Sequence, residues 1–267
     1  MAHGAEMQLR TLDWLRENEL PTGGIRGWDG MDTAYPEVVG YLLPTLFDYG
    51  ERDLACRCAD WLLTVQHESG GYCSLDGILH TFDTAAIVEG LERAYQETGR
   101  AQYEVAAIKA RDWIETMRTP DRLYRAGPGL GAPQHNIRVN GIVEVDPGYY
   151  SINTDDRTHF IAYALEGYLN LDFIDQVRRT LQNLPIQETW GLVPFYWQSG
   201  KGADIIATAQ MAILMMRVGM DASRLVDGVR RWVHPNGGVP QAPADPSEKS
   251  WGAKFYLDLE RMVENGK

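Results

Sequence analysis

Several things are scarce in this chain, and each scarcity removes a class of function. Cysteine occurs only three times, as Cys56, Cys58 and Cys73. An odd, low count does not make a disulfide framework, and the first residues lack the basic-then-apolar order of a secretory signal. A reducing, cytoplasmic setting is therefore expected. Cys56 and Cys58 sit at i and i+2, which diverge on a helix, and no Cys/His/Asp set with ligand spacing accompanies them. Neither a metal nor a cofactor is predicted. Basic residues are outnumbered: 25 Lys and Arg face 37 Asp and Glu, giving a net charge of −12 and a pI near 4.9. That balance argues against a nucleic-acid partner or adsorption to an anionic membrane. The longest apolar run, near Ile205–Met216, is too short for a membrane span and is broken by Gln210. Phosphate-cradling loops, nucleophile elbows and dinucleotide fingerprints are absent; Gly23-Gly24, Gly70-Gly71 and Gly237-Gly238 read as turns.

What is present is helical periodicity. The chain has 267 residues, of which 44% are hydrophobic and 23% charged, enough for a substantial core. Apolar residues recur at helical spacing and hardly ever alternate at strand spacing. Five amphipathic stripes appear, through Met7–Leu15, Leu54–Val65, Val105–Met117, Ile174–Leu184 and Leu225–Val233. Four of the five carry a Trp, at Trp14, Trp61, Trp113 and Trp232, and each leads into a turn with Gly or Pro. A second helix follows each turn, predicted over Tyr35–Tyr49, Phe82–Thr98, Thr158–Leu169, Ile205–Val218 and Trp251–Val263. These second helices are apolar all round and rich in small residues, the mark of buried helices. The spacing of about fifty residues between Trp14, Trp61 and Trp113 signals a repeat of helix pairs. The expected fold is all-α: one α/α-toroid domain over residues 1–267, with about five or six hairpins and a long irregular insertion over 120–157. Residues 139–145 alternate weakly within that insertion, which reads as a lid.

Particular motifs carry a family resemblance. Gln66-x3-Gly70-Gly71-Tyr72 after Trp61 resembles a degenerate Gln-to-Trp repeat of squalene cyclases and protein prenyltransferases. Phe82-Asp83-Thr84, followed by Gly90-Leu91, Tyr95 and Thr98-Gly99, is similar to helix pairs of polysaccharide-acting toroids: uronyl epimerases, lyases and unsaturated-glycan hydrolases. Tyr35-Pro36-Glu37 with Gly40-Tyr41, and Ser250-Trp251 with Lys254-Phe255, resemble toroid proteins associated with bacterial surface-polysaccharide synthesis. The resemblance implies a carbohydrate-active enzyme of epimerase, lyase or hydrolase type. An isoprenoid-processing enzyme and a non-catalytic glycan-binding scaffold are the alternatives. The chain departs from the terpene cyclases in lacking their Asp-rich runs; Asp155-Asp156 stands alone.

In such a barrel the turns entering the inner helices converge on one rim, where helix N-termini favour anionic groups. The candidate catalytic residues are Tyr35, Glu37, Asp83 and His159. Candidate substrate-binding residues are Tyr149, Tyr150, Asp155, Asp156, Arg157, Trp251 and Lys254, with Lys201 and Asp204 at the same level. Glu37 and Asp83 would serve as acid and base on a neutral glycan. On a uronate, Lys254 or Arg157 would neutralise the carboxylate while His159 or Tyr35 removed the adjacent proton. Each residue also has a plain structural reading. The acids fit helix first turns, Asp155 or Asp156 fits a cap, and His159 fits a core histidine bonded to a carbonyl. The partner expected is a glycan or small molecule, and a sixth pair donated by another chain stays open.

Overall fold

Each hairpin is held together where its turn meets its second helix. A computed structural model describes residues 2–120, 124–125, 127–128, 133–134 and 157–266. Among them are ten helices and one two-residue strand pair, and the chain divides into two units, residues 18–145 and residues 1–17 with 146–267.

In the 18–145 unit, α2 (Pro36–Asp48) and α4 (Thr81–Thr98) are the inner helices, with α3 (Arg52–Val65) and α5 (Ala101–Thr116) outside them. Their burial follows the sequence pattern. Ten of the thirteen residues of α2 are buried, against five of fourteen in α3. The two inner helices touch backbone to backbone. A Cβ on Gly90 would lie 2.1 Å from the Gly40 carbonyl oxygen, so small residues at this crossing are a packing requirement. A short antiparallel pair, β1 (Tyr124–Arg125) with β2 (Pro133–Gln134), follows α5, and Thr81 Oγ1 donates to the Arg125 carbonyl at 2.6 Å. The segments predicted over 139–145 lie outside the described residues.

The other unit contains α1 (Ala2–Glu17), α6 (Thr158–Asn170), α7 (Ile174–Gln182), α8 (Ile205–Arg217), α9 (Ser223–Arg230) and α10 (Ser250–Glu264). Here α6, α8 and α10 are the mostly buried members, and α7 and α9 are strongly amphipathic. The first helix packs beside the last hairpin. Thr11 Oγ1 donates to the Gly237 carbonyl at 2.9 Å, and Trp14 Nε1 donates to the buried Glu248 at 2.5 Å.

One turn geometry recurs in both units. In four of the five inner helices the capping residue donates its backbone N–H back across the turn: Tyr35 to Ile25 at 3.4 Å, His80 to Tyr72 at 3.1 Å, Asp204 to Val193 at 3.0 Å and Lys249 to Val239 at 2.9 Å; at α6 it is Thr158 that donates instead, to Phe195 at 3.0 Å. Two residues before each of the first four acceptors stands a glycine at positive φ: Gly23, Gly70, Gly191 and Gly237. That glycine lies against the backbone of an outer helix, at Arg57, Lys109, Arg224 and Arg10 respectively. Four residues further along those helices come Trp61, Trp113, Gly228 and Trp14. The aligned outer position in α9 is thus Gly228, whereas Trp232 lies beyond the end of that helix and stacks edge-on against Trp190, with ring centroids 6.2 Å apart. The exchange conserves volume. Gly24 and Gly71 make room for the indoles of Trp61 and Trp113, while at the fourth turn the buried Leu192 takes the glycine's place and Gly228 the indole's.

The turn glycine is therefore predicted to be a stability determinant. A Cβ on Gly70, at φ +100°, would sit 2.3 Å from the Lys109 carbonyl oxygen. Gly70→Ala should cost about 2–4 kcal/mol, the sum of strain and overpacking. Gly77→Ala, at φ +76° but facing open space, should cost about 1–2 kcal/mol from strain alone. Urea unfolding midpoints of the two variants measure the difference.

Candidate functional site

One capping residue stands at the start of each inner helix, set by the recurring turn everywhere except at α6. These positions hold Tyr35 and His80 in the 18–145 unit, and Arg157, Asp204 and Lys249 in the other. Five capping positions out of five carry a group able to bond or titrate, although only Asp204 caps its helix with its own side chain. His80 and Lys249 were missed in the sequence because the register of each turn was unknown.

In the 18–145 unit the structure brings Tyr35, Glu37 and Asp83 together. The Tyr35 hydroxyl lies 3.2 Å from Ser74 Oγ and donates to Asp83 Oδ2 at 3.3 Å. It also hydrogen-bonds Glu37. Glu37 accepts a second bond at Oε1, from the Tyr41 hydroxyl one turn along the same helix. Both carboxyls are buried, at 7% and 5% exposure. Desolvation, with the Asp83 charge adding to it, pushes the Glu37 carboxyl up to about 7. Desolvation likewise pushes Asp83 up to about 6, against the hydrogen bonds from Ser74 and Tyr35. Burial and the two carboxylates raise the Tyr35 phenol far above its ordinary value. Tyr35 is thus a hydrogen-bond donor here and a poor base. His80 stands at the cap of α4 with Nε2 3.0 Å from Asp76, and its charge opposes the rise at Glu37.

In the other unit the centre is Asp204, with no exposed surface. Its Oδ1 accepts from the Ala207 N–H at 2.8 Å, and Gln241 Nε2 lies 2.8 Å from both carboxyl oxygens. Trp251 Nε1 donates to Gln241 Oε1 at 3.1 Å, so the amide's orientation is fixed from behind. Burial outweighs these donors and pushes Asp204 up to about 7. His159 Nδ1 approaches Asp204 Oδ2 to 3.9 Å. Burial, with Arg157 nearby, holds the His159 imidazole down at about 4. The ring meets Tyr163 edge-on at 6.3 Å, and Tyr163 meets Phe255 at 6.4 Å.

The cationic candidates are engaged. Lys254 is buried, bonded to Asp258 at 2.6 Å and placed 4.3 Å over the Phe255 ring. The exposed Arg157 lies 4.9 Å over Phe195. Lys201 is exposed in the turn before α8. Tyr149, Tyr150, Asp155 and Asp156 lie outside the described residues, as does most of the predicted lid. Among the described residues no three His, Cys, Asp or Glu side chains gather in a way that could hold a metal ion. A cavity of about 430 Å³ opens between the C-terminal ends of α8 and α10, lined by Met216, Met220, Val226 and Arg230 among others. It lies away from the capping positions, so its size does not connect it to these acids.

No protein-family model and no curated protein matches the chain. Solved structures do. An α-amylase from Clostridium perfringens aligns with a TM-score of 0.68 at 10% identity, over 96% of this chain and 97% of that one. A type II terpene cyclase from Scytonema aligns at 0.65 and 11% identity, over 98% and 97%. A glycosidase in complex with glucose aligns at 0.59 and 10% identity, over 98% and 97%. The shared feature is the fold, consistent with the α/α-toroid class, and it hosts sugar and isoprenoid chemistry alike. No described helix is long and apolar enough to cross a membrane.

The buried acids make stability fall with rising pH. Glu37 binds its proton more tightly folded than unfolded, so folding is not penalised below its ordinary value of 4.5. As pH rises from 4.5 towards about 7 the unfolded chain ionises first and stability drops. Glu37→Gln should flatten this slope, and Asp83→Asn should do so over its own window, ending near pH 6. Denaturation series between these pH values measure both effects against the wild type, whose net slope also contains the opposing contribution of His159; a Glu37→Gln slope equal to the wild type's would contradict the burial argument.

Proposed function

We propose that the protein is a carbohydrate-active enzyme that cleaves a neutral glycan, with Glu37 as general acid, Asp83 as general base and Tyr35 as the donor that steadies Asp83. The observation carrying this reading is the Tyr35–Glu37–Asp83 cluster, two buried acids on successive inner helices whose proton affinities lie on either side of weakly acidic pH. At neutral pH Glu37 still holds its proton for much of the population, while Asp83 is mostly ionised. Glu37 gives its proton to the departing glycosidic oxygen. Water adds to the anomeric carbon and loses a proton to Asp83, so the acid and base exchange states and solvent resets them. The glycosidase and amylase among the structural neighbours agree with sugar chemistry on this fold.

A neutral substrate is favoured over a uronate because Lys254, one of the two cations expected to neutralise a uronate, is bonded to Asp258, the other, Arg157, lies over the Phe195 ring, and Tyr35 is poorly suited to act as a base. We place the activity in polysaccharide assembly or modification in the cytoplasm. A second reading, isoprenoid processing, draws on Asp204: a buried carboxyl that keeps its proton near neutrality beside His159, Tyr163 and Phe255 could protonate an alkene.

Hydrolysis of a panel of neutral oligosaccharides and polysaccharides tests the first reading. Glu37→Gln and Asp83→Asn should each lower kcat by about 10²–10⁴-fold with little change in KM. Full turnover in both variants would remove this cluster from the chemistry. Glycan binding with no product would favour a scaffold, and turnover of a polyprenoid instead would favour the second reading.

A further inference from the structure

The group in the 146–267 unit has chemistry that the glycan-cleaving cluster does not use. Asp204 Oδ1 is committed to the Ala207 N–H, and Gln241 Nε2 lies against both carboxyl oxygens. Oδ2 faces His159 Nδ1, which is buried and has no hydrogen-bond partner among the described residues. An unpaired buried ring nitrogen is costly, and Asp204 Oδ2 stands 3.9 Å from it. The side chain of His159 keeps 20% of its surface exposed, on atoms other than Nδ1. We infer that Asp204 and His159 form a proton-sharing pair, in which the state of Asp204 decides whether His159 Nε2 accepts or donates a hydrogen bond to a ligand hydroxyl.

The reasoning is a count of protons. Between Oδ2 and Nδ1 there is room for one. When Asp204 is ionised, the imidazole must place its proton on Nδ1, and Nε2 is left as an acceptor. When Asp204 gains a proton, it donates to Nδ1, the imidazole proton moves to Nε2, and Nε2 becomes a donor. Asp204 is the positioning residue and His159 the group that meets the ligand. Burial that holds the Asp204 carboxyl at about 7 and the imidazole at about 4 puts the change in the carboxyl's protonation, not the ring's. The charged groups around the pair do not replace this control. Arg157 favours the ionised carboxylate and disfavours imidazolium. Lys249 is bonded to Asp245 at 3.3 Å and Lys254 to Asp258 at 2.6 Å. Tyr163 beside the imidazole supplies an aromatic ring of the kind on which the apolar face of a sugar packs, and sugar hydroxyls can take either role. That choice of ligand class rests on the carbohydrate reading; the proton-sharing pair itself does not.

Long-range proton–nitrogen NMR of the intact protein reads the tautomer directly, without substrate. At about pH 8.5 the His159 signal should be that of an Nδ1–H ring, and at about pH 5.5 that of an Nε2–H ring, both neutral. In Asp204→Asn the oxygen should keep its bonds to Ala207 and Gln241, so the amide NH₂ would face Nδ1. His159 should then be Nε2–H at both pH values. An Nε2–H ring in the wild type at about pH 8.5, or an Nδ1–H ring at both pH values, would overturn the inference, and so would an unchanged pH response in Asp204→Asn. If Asp204→Asn does not fold, the two wild-type spectra still decide. Because no activity is measured, this test can fail while the glycan-cleaving reading stands, and the reverse.

Discussion

The capping N–H that reaches back across each turn is the constraint on which the rest depends. It sets the start of α2, α4, α8 and α10 relative to a positive-φ glycine two residues before the acceptor, and that glycine in turn lies against the backbone of an outer helix. Helix ends leave unsatisfied N–H groups, and a helix start that is buried must find partners for them locally. Here the turn and the helix start are tied in both directions. The capping N–H donates to the turn, and inner-helix threonines accept from it: Thr84 Oγ1 from the Tyr72 N–H and Thr208 Oγ1 from the Val193 N–H, both at 3.0 Å. With the turn fixed by backbone and threonine bonds, Tyr35, His80 and Lys249 occupy positions where Ser, Thr, Asp or Asn would ordinarily be preferred, and none caps its helix with its side chain.

Much of this was legible before any coordinates, and for a physical reason. The inner helices announce themselves by small and apolar residues on every side, and the structure starts and ends them within about two residues of the predicted bounds. Burial on all faces is a strong signal because it tolerates few substitutions. Tyr35, Glu37 and Asp83 were visible as first-turn groups on consecutive inner helices, and they do meet. Other features were not legible. Trp232 looked like the fourth member of the Trp series because sequence spacing cannot show a glycine–leucine exchange with an outer-helix glycine. Only the contact between Gly191 and the Arg224 carbonyl sets that register. Lys254 looked like a free cation at a helix entrance, yet its partner Asp258 lies one turn further along the same helix. Such a pair was open to detection at i, i+4 spacing.

Asp204 shows why a cap and a functional acid are hard to separate by sequence. It does cap α8, accepting the Ala207 N–H as an ordinary Asp at that position would. A helix N-terminus favours the ionised form, so an exposed capping Asp should have a low proton affinity. Asp204 departs in the opposite direction because burial opposes ionisation more strongly than the dipole and the donors favour it. The same conflict holds at Asp83, inside the first turn of α4.

A carboxyl that only had to cap a helix would gain by being exposed, since water would stabilise the charge that the helix end prefers. Burying it costs part of that benefit. Glu37, Asp83 and Asp204 are each less than a tenth exposed, and each sits where an inner helix begins. Lining the same positions with alanine or threonine would satisfy the fold with less penalty, as Thr81 and Thr208 do beside them. Two separate buried sites, the interacting Glu37 and Asp83 in one unit and Asp204 in the other, are hard to account for by packing alone. They are what a protein needs if it is to keep protons available near neutral pH at the entrances of its inner helices.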